Sequence, residues 1–282
     1  MFIKKLICGL LLAVATQLHA QDQIANIEKY HENSKWQKST AIELFEDFAN
    51  HQDFKGTETL IDVCSGDGKI TAFMAEYFPN GKVIGTDLSS KMVEFAKTNY
   101  GKDAPNLSFE TMSADQLTFA NQADVITSFT CMHLIKDQAA VLKGMHQSLH
   151  DQGKLLMAFP VDHGFGKALQ KTMSLKKWRR HFSQFSSGWH FVTANEYEQR
   201  LKEAGFTVKR FEVFTKDETY PSIEAFAESI SHWLPHLKVL NPKLQTEFLN
   251  DLVTRYEEQV KLDDKGDLHY YVKNMVVEAV KV

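Results

Sequence analysis

The segment Leu60–Thr71 (LIDVCSGDGKIT) narrows most sharply what this chain can become. A short apolar run, Leu60–Cys64, passes straight into a turn containing Gly66 and Gly68. Lys69–Phe78 then carries Ile70, Phe73, Met74 and Tyr77 at helical spacing. Strand, glycine turn and helix, in that order, open a parallel α/β sheet that binds a ligand at its strand ends. The glycines let the backbone approach that ligand and enter the helix without a Cβ clash. Such a turn is weak by itself; it gains weight from the strands, helices and acids C-terminal to it.

The alternation continues. Lys82–Leu88 reads as a strand and Ser90–Tyr100 as a helix, with Ser89 or Ser90 as its N-cap. Leu107–Met112 and Ala123–Phe129 read as strands, Asp137–Leu149 as a helix, and Gly153–Phe159 as a strand closed by Pro160. Helices of this length between strands imply a parallel, doubly wound sheet. Residues 161–192 are rich in aromatic and basic side chains and lose the period. Ala194–Gly205 reads as a helix, Thr207–Phe214 as a strand, 222–262 as two or three helices, and Met275–Val282 as a last strand. A helical insertion ahead of the last strand is a lid over the strand ends.

The N-terminus has a different character. Lys4 and Lys5 precede an apolar run, Leu6–Ala15, and a short polar stretch ending in Ala20. The run is shorter than the roughly 20 residues a bilayer span needs. The order is that of a secretory signal peptide cleaved after Ala20, with Ala13 and Ala15 as an alternative site. The expected organisation is a leader over 1–20, a helical segment over 21–55, a cofactor-binding core over 56–160, and lid helices with the last two strands over 161–282. An exported protein is the expectation from the leader, with a cytoplasmic one as the alternative, and no stable membrane span once the leader is removed.

Composition excludes several classes. Hydrophobic residues are 43% and charged residues 24% of the 282, as in an ordinary folded domain. A formal net charge of −4 gives no basic field for nucleic acid. The one dense basic run, Lys176, Lys177, Arg179 and Arg180, reads as a solvated helix face. Of the three cysteines, Cys8 falls in the leader, and Cys64 and Cys131 alone make no disulfide framework. No Cys/His spacing resembles a metal site, so no metal is expected.

Candidate site residues collect at the carboxyl ends of the expected strands. Asp87 ends the second strand, about 20 residues beyond the glycines, where a carboxylate can hold both ribose hydroxyls. Ala114 and Asp115 come after the third strand, where Asp115 can accept from an adenine amino group. Ser128–His133 comes after the fourth.

These segments resemble class I S-adenosylmethionine-dependent methyltransferases, over about residues 25–282. The usual first motif is D-x-G-C-G-T-G; here it reads D-V-C-S-G-D-G, with Cys64 in place of the first glycine and Asp67 in place of threonine. VIGTDLSSKMVEFAK (83–97) is similar to the second motif and SADQL (113–117) to the adenine-edge motif. The resemblance implies an α/β, Rossmann-like, doubly wound, mostly parallel seven-stranded sheet with a helical lid inserted before the last strand. It implies S-adenosyl-L-methionine as cofactor, held by Asp62, Cys64, Ser65, Gly66, Gly68, Asp87, Leu88, Met92, Ala114, Asp115, Ser128 and Phe129.

A narrower resemblance runs through ITSFTCMHLIKDQ (126–138), YHENSKWQKSTAIEL (30–44), WHFVTANEYEQRLKEAGF (189–206) and 222–260. These look like the juvenile-hormone-acid methyltransferase group, with trans-aconitate methyltransferase sharing the layout. That resemblance implies O-methylation of a small-molecule carboxylate, with Gln37 and His133 as catalytic residues near it. Leu134 stands where that group usually has tryptophan. Trp36, Trp189 and Phe129, with His190, are candidate walls of an apolar pocket.

A carboxylate is ionised at neutral pH and needs no general base. A hydroxyl or amine benefits from one, and His133 is the candidate. Three functions are compatible with these residues: a methyltransferase of a small, apolar acid; one acting on a quinone-like phenol, an amine or a lipid; and an exported binding protein that keeps a degenerate form of the fold. Cys64 and Cys131 sit beyond strands that are neighbours in this topology. Two reduced cysteines beside the cofactor are expected, and a disulfide is the alternative for an exported chain.

Overall fold

Five apolar doublets build the centre of the molecule. Leu60/Ile61, Val83/Ile84, Val125/Ile126, Leu155/Leu156 and Val276/Val277 each lie on a strand and are essentially unexposed. Successive side chains on a strand point to opposite faces. One member of each pair therefore packs with Phe45, Met74 and Phe78, and the other with Val141, Met145 and Leu201. A sheet apolar on both faces needs helices on both, and that is a three-layer α/β fold.

The computed structural model describes residues 27–102 and 104–282. The leader expected over 1–20 lies outside them, as do the side chains at 33, 35 and 36, Trp36 included. The first half runs α1 (Ile27–Asn33), α2 (Lys35–Asn50), β1 (Thr59–Val63), α3 (Lys69–Ala75), β2 (Lys82–Asp87), α4 (Ser90–Tyr100), β3 (Leu107–Thr111) and β4 (Ala123–Phe129). The second half runs α5 (Gln138–Ser148), β5 (Leu149–Asp162), α6 (Gly166–Ser174), α7 (Ala194–Glu203), β6 (Phe206–Tyr220), α8 (Ile223–Ser231), α9 (Pro242–Val260) and β7 (Leu268–Lys281). The seven strands lie in the order β3-β2-β1-β4-β5-β7-β6. β1 to β5 pair in parallel, and β7 runs antiparallel between β5 and β6. The order reverses between β1 and β4, which makes that crevice the ligand-binding position of an open sheet.

Several boundaries differ from the sequence reading. Pro160 does not close β5, which continues to Asp162. β4 ends at Phe129, opposite Ala158, so at Pro160 only β7 remains as a neighbour. A residue without an N–H is tolerated on such a half-paired stretch. The last two strands are also longer than expected. β6 and β7 stay paired from Phe206↔Lys281 out to Tyr220↔Leu268, well beyond the end of β5. This ribbon carries the lid: α6, α8 and α9 bury Phe165, Leu169, Phe226, Phe248 and Tyr256 against its Leu268 and Tyr270. The lid has its own apolar core and hangs over the crevice. Among the described residues, no helix is long and apolar enough to cross a membrane.

Candidate active site

The turn after β1 takes three left-handed residues within five: Cys64 (φ 65°), Gly66 (54°) and Gly68 (83°). They serve different ends. A Cβ on Gly68 would lie 2.6 Å from Cβ of Ala96 and 2.8 Å from the Phe109 ring, so that position admits glycine alone. A Cβ on Gly66 would meet nothing within 4 Å, because this glycine faces the open crevice. Thr130, just past β4, is left-handed as well, at φ 56°. Non-glycine residues held there cost about 1–2 kcal/mol each, a strain that concentrates where loops are shaped for ligands.

Those two strained turns are joined by a disulfide between Cys64 and Cys131, with their Cα atoms 6.1 Å apart. The expectation of two reduced cysteines is thus corrected. The physical reason is the register of β1 against β4, Leu60↔Val125 to Asp62↔Thr127, which brings both strand ends out side by side.

Asp87 ends β2 at the floor of the crevice. Its carboxylate accepts from the Gly66 N–H at 3.0 Å and the Ser89 N–H at 2.8 Å. Burial raises its pKa above the usual carboxylate range even so. Asp62 lies deeper, accepting from Thr71 Oγ1 at 2.6 Å and Thr127 Oγ1 at 2.9 Å. It ties β1 to α3 and β4, and burial lifts its pKa to about 6. Asp67 turns the other way: its carboxylate meets His31 Nδ1 at 2.8 Å and Lys69 Nζ at 3.3 Å. Lys69 also donates to the His31 carbonyl at 3.1 Å and to Ser34 Oγ. This buried cluster clamps α1 over the turn and leaves Tyr30 lining the crevice.

The crevice takes in about 1140 Å³ of open space, its mouth onto solvent included. Of the residues expected at the site, Gln37, Cys64, Gly66, Asp87, Met92, Phe129, His133 and Trp189 line it. Asp62, Ser65, Gly68, Leu88, Ala114, Asp115 and Ser128 do not form its wall. Asp62 and Gly68 support the turn from behind, and Ser65 and Ser128 are buried with unpartnered hydroxyls. Asp115 accepts from Ser113 Oγ within its own short 3₁₀ turn. His190 braces the wall from outside, its N–H donating to the His133 carbonyl at 2.7 Å.

Sequence reasoning missed Tyr30, His163, Trp233 and Tyr270, which also line the crevice. They arrive from α1, the end of β5, the lid and β7, with no motif to mark them. The 3₁₀ turn Met132–Leu134 carries His133, which is 4% exposed and has no partner for Nδ1. Burial, and then His163 beside it, holds the His133 pKa well below the ordinary value. Gln37 likewise has its side-chain oxygen buried without a partner. Among the described residues, no Lys or Arg lines the crevice, and no cluster that could hold a metal ion occurs.

Three comparisons bear on this geometry. The methyltransferase domain family matches residues 60–153. The 235L protein of Invertebrate iridescent virus 6, described as a methyltransferase, is 24% identical over 232 residues, covering 82% of this chain and 84% of the viral one. Juvenile hormone acid O-methyltransferase of Bombyx mori is 24% identical over 247 residues, covering 84% and 86%. Among solved structures, a protein of Bacillus halodurans described as a methyltransferase superposes with a TM-score of 0.61 at 17% identity, over 86% of this chain and 99% of its own.

Proposed function

The chain is a class I S-adenosylmethionine-dependent methyltransferase, and from that premise we propose that it methylates the carboxylate of a small, largely apolar acid. One observation carries the choice of acceptor. The two imidazoles lining the crevice, His133 and His163, are held neutral by burial with pKa values far below neutrality, so both are poor general bases. A carboxylate arrives already ionised and needs no base. A phenol or amine needs its proton removed, and neither imidazole is suited to that. One relative is named for O-methylation of juvenile hormone acid, which accords with the same chemistry.

The residues present fit the cofactor. Gly66 leaves its side of the turn open, and the Asp87 carboxylate stands at the crevice floor. Asp87 would take the ribose hydroxyls, with Gly66 and Met92 around the adenosine, whereas Leu88, Ala114 and Asp115 stand outside the crevice wall. Cys64 and Phe129 would border the sulfur end. Bound S-adenosylmethionine supplies an electrophilic methyl group on a sulfonium. Gln37 and His133 hydrogen-bond the acceptor carboxylate and set its approach, which is the main task left to the protein. Trp189 walls its apolar body.

We propose further that the protein is exported. The leader-like residues 1–20 and the Cys64–Cys131 disulfide support this, since such bonds persist in oxidising compartments.

The test is release of S-adenosylhomocysteine with decanoic acid, 4-octylphenol and decylamine as acceptors. We expect methyl decanoate, at a rate flat from about pH 6 to about pH 9, because the carboxylate stays ionised throughout. Methylation of the phenol or the amine in preference to the acid overturns the reading.

A further inference from the structure

His163 comes directly after the last residue of β5 and faces the crevice. It is 7% exposed, and its Nε2 is buried without a hydrogen-bond partner. A histidine that merely fills a core is normally pinned by a hydrogen bond. This one is caged by rings instead: Trp189 at 4.4 Å between centroids, Trp233 at 5.0 Å, and Phe165 stacked at 6.0 Å. Burial, with His236 beyond it, keeps the ring neutral, so it offers a donor and an acceptor and no charge. His133, the neighbour placed at the acceptor carboxylate, lies 5.4 Å away between ring centroids. That nitrogen is already shut off from water with nothing to bond, and an acceptor made of hydrocarbon alone would leave it so. A site with that property selects against such a ligand.

We propose that His163 determines acceptor specificity by hydrogen-bonding a second oxygen function, a hydroxyl or carbonyl, on the acid being methylated. That oxygen lies only a few carbons from the carboxylate, because the two imidazoles are neighbours. The rest of the acceptor is apolar, matching Trp189, Trp233 and Tyr270 along the wall. The proposal deepens the carboxylate reading above and rests on it.

The test compares decanoic, 3-hydroxydecanoic and 5-hydroxydecanoic acids as methyl acceptors for the full chain and for His163→Phe and His163→Gln. Calorimetry of each acid is run alongside with S-adenosylhomocysteine present. For the unaltered protein, one hydroxy acid should exceed decanoic acid by about tenfold or more in kcat/KM and in affinity, the worth of one good hydrogen bond to a buried group. His163→Phe should bring that ratio close to one, and His163→Gln, which keeps a donor and an acceptor, should restore part of it. Unchanged affinity of His163→Phe for S-adenosylhomocysteine shows that the fold is intact. If the unaltered protein methylates all three acids without preference, or if His163→Phe keeps the preference, this inference fails and the carboxylate reading stands. If it methylates none of them, the carboxylate reading fails and takes this inference with it.

Discussion

Breaking the Cys64–Cys131 bond should cost this protein about as much as truncating a large core side chain. The bridge closes a loop with a sequence separation of 67. In the chain-entropy description, a loop of that length restrains the unfolded chain by about 4 kcal/mol at 25 °C. Reduction should therefore lower the unfolding midpoint by about 10 °C, taking roughly 2–4 °C per kcal/mol for a chain of this size. The two single variants should not be equal. Cys131→Ala loses the bridge alone. Cys64→Gly loses the bridge but relieves a left-handed backbone at φ 65°, which returns about 1 kcal/mol. The assay is calorimetric unfolding with and without a phosphine reductant, with intact mass recording two hydrogens gained on reduction. The double variant Cys64→Ala/Cys131→Ala serves as a control that the reductant should not affect. If mass shows full reduction while the midpoint stays in place, the bridge contributes nothing and the reasoning is refuted. If the oxidised and reduced proteins have the same mass, no bridge forms.

Asp87→Ala should weaken S-adenosylhomocysteine binding by about a hundredfold or more, since ribose hydroxyls and the Gly66 and Ser89 N–H groups lose their acceptor; calorimetry showing undiminished affinity would sink the cofactor assignment. Asp62 has its folded pKa raised from 3.8 to about 6, so the stability linked to it is present below pH 3.8 and is lost as pH rises through about 6. Asp62→Asn should consequently gain about 2 kcal/mol on the unaltered protein between pH 4 and pH 7, read from denaturant midpoints across that range; parallel pH profiles would count against a strained carboxylate. Lys69→Met removes the buried cation between Asp67 and Ser34 and should destabilise by about 3 kcal/mol. Hydrogen exchange over Ile27–Asn33 should then accelerate, and unchanged protection there would show that the clamp does not hold α1.

The sequence alone determined the β1 turn, the strand-and-helix alternation and the position of Asp87. All three are written in short-range chemistry: period-2 and helical apolar spacing, glycines where φ is positive, and a carboxylate at a strand end. It also placed a lid before the last strand. Only the tertiary structure decided how the lid is carried and what it brings. β6 and β7 outrun the sheet because they pair with each other, a contact between residues far apart in the chain that no local pattern announces. His163, Trp233, Tyr270 and Tyr30 reach one crevice from four elements for the same reason. Asp67 looked like a departure from a motif, and the fold turned it into the anchor of α1. Cys64 changed most. As a letter in a glycine motif, it allowed either a free thiol or a bridge. The β1–β4 register brought Cys131 to 6.1 Å at the Cα atoms and chose between them.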